Sequence, residues 1–261
     1  MSIGVAFFLE AITLRGMRPV LVILSMAGVH AASLHAEVRP PEGFTALYNG
    51  KDLSGWWGAN TENPEKYLAL PPEELAAKMK GSLEDINKHW KAQGDELHND
   101  GHGLFLTTEK LYADFELLVD YKTVPKADSG IYLRGIPQVQ IWDSTEKAKF
   151  KLGADKGSGG LWNNRKGAAG KDPLVLADKP FGEWNHLRII MVGEHVTVFL
   201  NGKLVVDHAR MENYFNRKGR VPDKGPIQLQ THGGEITWRN IFIRDIGAGE
   251  AARIMAEGGV E

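Results

Sequence analysis

Residues 137–143, PQVQIWD, and 225–232, GPIQLQTH, decide the fold. In the first, Val139 and Ile141 alternate with Gln138, Gln140 and Trp142. In the second, Ile227, Leu229 and Thr231 alternate with Gln228, Gln230 and His232. Strand side chains point to opposite faces with period two, so each segment turns one face to a core and shows amides, an indole or an imidazole on the other. Outer faces of strands more often carry Lys, Glu and Thr, so this composition suggests a sugar-binding surface; an ordinary solvated face is the alternative.

Working outward, Phe115, Leu117, Val119 and Tyr121 alternate with Glu116, Leu118, Asp120 and Lys122, the pattern of a strand with one well-buried face. Strands are also predicted over 187–192, 196–200, 203–206 and 236–243, with Asn201-Gly202 forming a two-residue hairpin turn. An opening strand and loop run from Phe44 to Trp56 through Asn49-Gly50. Many short strands with little helix between them predict an all-β fold, a two-sheet antiparallel β-sandwich, rather than βαβ units. The exception is 59–93, read as a helical insertion. Pro71-Pro72-Glu73-Glu74 starts one helix, and Ser82-Leu83-Glu84-Asp85 starts a second with a serine cap. This insertion either caps a groove or covers a sheet edge.

The chain of 261 residues is 43% hydrophobic and 25% charged, enough to bury one sizeable core. A net charge of -2 with both signs interspersed gives no footprint for nucleic acid. Arg18, an apolar run over 19–24, small residues and Ala36 have the layout of a secretory signal peptide over 1–36, and a start at Met17 fits that layout better. A retained anchor is the alternative. The mature chain, 37–261, then reads as a single exported domain, periplasmic or extracellular, without a membrane span. It contains no cysteine, so neither disulfides nor a lipid-modified cysteine stabilises or tethers it.

Several catalytic signatures are missing: no Gly-x-Ser-x-Gly elbow, no His-Glu-x-x-His helix and no P-loop. Asp143-Ser-Thr-Glu146 has the tail of the two-carboxylate strand of β-sandwich glycosidases, but Ile141 stands where the nucleophile belongs. His98 and His102 flank an Asp100-Gly101 turn and read as loop histidines unless a third metal ligand joins them. Residues 157–160, GSGG, read as a flexible binding loop. Trp162, Asn163 and Asn164 follow it with a flat ring and amides suited to stack on and hydrogen-bond a pyranose; a core tryptophan is the alternative.

The ordered set of GFTALYNGKDLSGW (43–56), DFEL (114–117), SGIYLR (129–134), QVQIWD (138–143), GEWN (182–185), NG (201–202), GPIQLQTHG (225–233) and RNI (239–241) resembles the 3-keto-disaccharide hydrolase domain family, over about residues 42–246. The resemblance implies a concanavalin A-like, laminin-G-like jelly roll and cleavage of glycosides whose sugar has first been oxidised at C3 by a separate sugar 3-dehydrogenase. A C3 ketone acidifies the C2 hydrogen, so a modest base can form an enolate and expel the C1 substituent, after which water adds back. Such chemistry needs a base, stabilisation of the enolate oxygen and an acid for the leaving group, rather than two carboxylates astride the bond.

Residue by residue, Gln138, Gln140 and Asp143 match the family's Glu-x-Gln-x-x-Asp strand, Asp128-Ser129-Gly130 its Asn-Ser-Gly turn, and Gln230 and His232 its Gln-x-His strand. Two departures stand out: Gln138 replaces a common glutamate and cannot act as a base, and Asp128 replaces an asparagine. If the usual glutamate is catalytic, its role moves to Asp128 or Asp143. The expected acid/base group is His232, whose ordinary pKa of about 6.5 suits proton transfer around neutral pH, with Asp143 orienting it or holding a divalent cation and Arg134 stabilising the enolate oxygen. The alternative is a histidine that only hydrogen-bonds the Gly233-Gly234 turn. For Arg134 a salt bridge to Asp128 or Asp143 is the rival. Gln138, Gln140, Trp142, Trp162, Asn163, Gln228 and Gln230 are expected to hold the oxidised saccharide. No cofactor is required by these residues, and a divalent cation is the open candidate. A non-catalytic carbohydrate-binding module is the alternative function, and a secreted adhesion or scaffold domain is a third.

Overall fold

The computed structural model describes residues 39–259; the segment 1–36, read from sequence as a signal peptide, lies outside them. In chain order the elements are β1 (Thr45–Ala46), β2 (Trp56–Ala59), α1 (Pro64–Leu68), α2 (Pro72–Gly81), α3 (Leu83–His89), β3 (Trp90–Gln93), β4 (Glu96–Asn99), β5 (Phe105–Thr108) and β6 (Phe115–Thr123). They continue as β7 (Asp128–Leu133), β8 (Ile136–Trp142), 3-10 turns at Lys147–Leu152 and Ala154–Lys156, β9 (Asn185–Val192), β10 (His195–Leu200), β11 (Lys203–Arg210), β12 (Gln228–Leu229), β13 (Ile236–Asp245) and α4 (Ala248–Glu257). One sheet has the order β11-β10-β9-β6-β13-β4-β3, with β1 also on β13; the other runs β2-β5-β12-β7-β8. Every strand pairing among the described residues is antiparallel, and the architecture is the two-sheet sandwich the alternation predicts, of the jelly-roll kind the resemblance implies.

The core lies between the sheets. Phe115, Leu117, Val119 and Tyr121 of β6 face Val139, Ile141, Ile131, Ile227 and Leu229 of the smaller sheet, all essentially without exposure. On the opposite side of β6, Glu116 and Asp120 are also buried, because Arg188, Arg244, His186 and Asn240 close over their carboxylates. Asn201 and Gly202 both adopt left-handed backbone, φ 53° and 76°, as a tight two-residue hairpin demands.

The insertion is shorter than 59–93. Its helices occupy 64–89, while Trp90–Gln93 forms the edge strand of the larger sheet, because Trp90 drops fully into the core. Ser82 adopts helical backbone and does not cap α3. Its hydroxyl instead donates to Met79 O and accepts from Gly58 N, stitching the insertion to β2. Gly58 is required there: a Cβ would meet Ile86 Cγ2 and Leu104 Cδ1 at 2.8 Å. Tyr67 packs edge-on against Trp57, with Leu68, Leu70, Leu75 and Met79 around them, so α1 and α2 cover one end of the outer face of the smaller sheet.

Candidate active site

The β7–β8 hairpin and β12 place side chains of one sign of the alternation on the uncovered part of that outer face. Asp128 sits opposite Trp142, Gly130 opposite Gln140, and Gln228 opposite Tyr132. These strands floor a hollow of about 260 Å3 that also receives His232, Thr61, Leu152, Trp162 and Tyr214. Gln138 donates to Gln140 Oε1, and Gln140 Nε2 donates to Asp128 Oδ1 at 2.9 Å and to Ser129 O at 3.1 Å. Gly130 makes room for this chain of amides, since a Cβ would lie 3.0 Å from Gln138 Cδ. Gln230 lines the hollow with its Oε1 buried and without a partner, while its Nε2 lies 3.5 Å from the Tyr132 hydroxyl. The Tyr132 hydroxyl is 2.7 Å from Thr61 Oγ1.

At the mouth, His232 Nδ1 is 3.2 Å from Asp128 Oδ2, and Lys149 Nζ is 3.0 Å from the same oxygen and 3.1 Å from Glu146. The His232 side chain keeps 63% exposure, so its other nitrogen is open to a ligand. Hydrogen bonding to Asp128 raises the His232 pKa above its ordinary value, against desolvation and the Lys149 charge. Burial alone would raise the Asp128 carboxyl, but its bonds from His232 and Lys149 outweigh that and hold it below the usual range. Burial likewise pushes the Tyr132 phenol up to about 12, so it stays a proton donor at neutral pH.

Of the residues expected from sequence, Gln138, Gln140, Trp142, Trp162, Asn163, Gln230, Asp128 and His232 line this hollow. Three do not. Arg134 occupies the first left-handed position of the β7–β8 turn, φ 54°, six residues and roughly 20 Å along the strand from Asp128. There its buried guanidinium donates to Ala113 O, Pro222 O and Asp114 Oδ1, a partner different from both carboxylates expected for it. Asp143 lies one residue past β8 and spends its oxygens on Lys126 N, Thr145 N and Thr145 Oγ1; it caps a turn, and Asp128 takes over the place beside His232. Gln228, on the same face, is buried outside the hollow and donates to Thr107 Oγ1.

The GSGG segment is also corrected: its four residues are buried, Gly159 N and Gly160 O bond to β8 at Gln140, and Gly157 O accepts from the Trp142 indole. It extends the sheet edge and anchors the ring that lines the hollow. His98 faces Glu96 and Thr237, while His102 packs near His89, so the two histidines do not converge. The sequence reading missed Tyr132, Thr61, Lys149 and Tyr214. Tyr132 alone was detectable, two residues beyond Gly130 on the same strand face.

The donor set does not fit a divalent cation. Asp128 Oδ1 accepts from Gln140, Oδ2 faces two potential cations, and Asp143 points into its own turn. Among the described residues, no three His, Cys, Asp or Glu side chains cluster as a metal site. Two larger hollows, of about 790 and 670 Å3, lie on the outer face of the larger sheet, where Glu116 and Asp120 are already paired with Arg188, Arg244, His186 and Asn240. Among the described residues, no helix is long and apolar enough to cross a membrane.

Two antiparallel sheets carrying an amide-lined hollow with a His–Asp pair at its mouth define a jelly-roll protein with a small polar site. The chain belongs to the 3-keto-alpha-glucoside-1,2-lyase-like domain family, whose model matches residues 43–244. It is similar to a 3-keto-disaccharide hydrolase of Bacteroides thetaiotaomicron, 24% identical over 248 residues and covering 78% of each chain. Two crystal structures from Parabacteroides distasonis, each provisionally assigned as a glycosyl hydrolase, share the fold. One is 26% identical with a TM-score of 0.52, covering 78% of this chain and 99% of its own; the other is 20% identical with 0.53, covering 79% and 95%.

Proposed function

We propose that this protein cleaves 3-keto-glycosides by removing the C2 proton, expelling the C1 substituent and adding water. Family membership and the curated relative support a glycosyl-hydrolase-like function. The observation that carries the finer reading is the His232–Asp128 pair, 3.2 Å apart, at the edge of a hollow floored by neutral amides.

With glutamine at 138, the general base falls to His232. Asp128 holds Nδ1–H, and the free Nε2 takes the C2 proton while the electron pair delocalises onto the C3 oxygen. The amides of Gln138 and Gln230 and the Tyr132 hydroxyl offer donors to the sugar oxygens. The C1–O bond then breaks, and the imidazolium returns its proton to the departing oxygen. Water adds across the C1–C2 double bond, hydroxyl to C1 and proton to C2, so the balance is glycoside plus water to 3-keto-sugar plus alcohol.

A non-catalytic carbohydrate-binding module is the second reading, favoured by the neutral glutamine at 138. Release of aglycone from a 3-keto-glucoside, but not from the parent glucoside, separates them. The same chemistry places a sugar 3-dehydrogenase upstream, and the 1–36 segment supports export to the periplasm or beyond; cell fractionation tests the latter.

A further inference from the structure

We propose that the leaving-group side of the hollow is an apolar subsite, so that the preferred substrates carry a hydrophobic aglycone rather than a second sugar. This rests on the glycoside-cleaving reading above and deepens it. The hollow is divided chemically. Asp128, Gln138, Gln140, Gln230, His232 and the Tyr132 hydroxyl make a polar floor, while Leu152, Trp162 and Tyr214 stand above it. Leu152 is 52% exposed and Tyr214 40%, and with Trp162 they form one contiguous carbon surface at the edge of the hollow.

The rim is built rather than incidental. Trp162 Nε1 donates to Leu152 O at 3.2 Å, fixing the 3-10 turn against the indole. Lys171 lies 4.6 Å from the Trp162 ring centroid and also donates to its carbonyl oxygen. The Arg217 guanidinium lies 5.2 Å from the Tyr214 ring, and its Nη1 reaches Asn163 O at 2.5 Å, tying the two halves of the rim together. Each ring thus has a cation near it and an aromatic neighbour at a steep angle, Trp142 beside Trp162 and Phe215 beside Tyr214, so the rim is a packed carbon surface. A pyranose could stack on either ring, but Leu152 has neither a flat face nor a hydrogen-bonding group, and sugar hydroxyls laid on it would lose water without compensation. With the glycone in the amide-lined floor, an alkyl or aryl aglycone projects onto carbon.

The experiment is a series of n-alkyl 3-keto-glucosides from ethyl to hexyl, in which leaving-group basicity is nearly constant, alongside a 3-keto-disaccharide. Binding is measured calorimetrically to the full-length His232→Ala protein, and turnover with wild type. We expect affinity to rise by up to about fourfold per methylene, from ~0.8 kcal/mol per buried methylene at ~1.4 kcal/mol per tenfold. Hexyl should bind more tightly than the disaccharide, and the slope should flatten when Leu152→Asn is added to the His232→Ala protein, without a change in Tm. A flat series, or a disaccharide binding as tightly as hexyl, overturns the subsite. A rising series without turnover leaves the subsite standing and removes the reaction; turnover with a flat series does the reverse.

Discussion

His232 Nδ1 lies 3.2 Å from Asp128 Oδ2, and that oxygen is shared with Lys149 Nζ at 3.0 Å. The histidine therefore has a fixed tautomer and one open nitrogen, while the lysine keeps the carboxylate charged. A carboxylate thus enters at position 128, where the family motif has asparagine, while the family's common glutamate at 138 is a glutamine here. On the proposed mechanism, the carboxylate at 128 orients the exposed imidazole it faces.

Replacing His232 with alanine should lower turnover of a 3-keto-glucoside by about 10²–10⁴-fold, the usual contribution of a positioned acid/base group. Substrate affinity should change little. Equal kcat in the two proteins would remove the imidazole from the chemistry.

The pH dependence has a definite sign. Asp128 raises the His232 pKa, so neutral imidazole, the form that accepts the C2 proton, accumulates only above the ordinary value near 6.5. Asp128→Asn should shift the rising limb of kcat/KM toward acid while lowering its plateau. A limb that stays in place would show that another group sets it.

The same pair predicts a stability window. His232, with a raised folded pKa, contributes stability that is complete below about 6.5 and lost as pH rises through the folded value. Asp128, with a depressed one, contributes stability that is complete above about 3.9 and lost as pH falls through its folded value. The difference between wild type and Asp128→Asn in urea denaturation should be largest between these limits. With His232 largely exposed it should not exceed about 1 kcal/mol. A difference that is flat across pH would show that the ion pair contributes nothing.

The sandwich was legible because strands 115–123 and 136–142 keep a two-residue alternation, interrupted only by Leu118 in the first and by Ile136 and Trp142 in the second, and alternation is all that a two-layer β fold needs to orient its faces. The floor of the site was legible for the same reason, being the other phase of that pattern. The failures share a cause: what a side chain touches is set by chain ends and turns. Arg134 was misread because its Gly135 neighbour makes a hairpin turn that throws the guanidinium toward Ala113 and Asp114, and Asp143 because one residue beyond a strand end the alternation no longer applies. Lys149, Tyr214 and Thr61 arrive from loops and the insertion, whose approach to the hollow no local pattern encodes. Helix α4 was passed over as well, its amphipathic face covering Ile190 and Val192.

Arg134 gives the sharpest separation of a structural role from a catalytic one. Its guanidinium is 2% exposed and satisfies two backbone carbonyls and Asp114. Arg134→Met would leave those carbonyls and the carboxylate without their donor, at a cost of about 3–5 kcal/mol. Burial lowers the guanidinium pKa, and the neighbouring Asp114 offsets only part of that, while arginine stays charged throughout the working pH range. Lysine cannot restore the three-way contact, because a single ammonium lacks the planar fork that reaches two carbonyls and a carboxylate at once. Both variants should therefore unfold at lower urea, with methionine the more damaging. Whatever fraction remains folded should show wild-type KM and kcat per active molecule, since the turn lies at the far end of β7 from His232. A selective loss of kcat in folded Arg134→Lys would reinstate the arginine as a group that touches the reacting sugar.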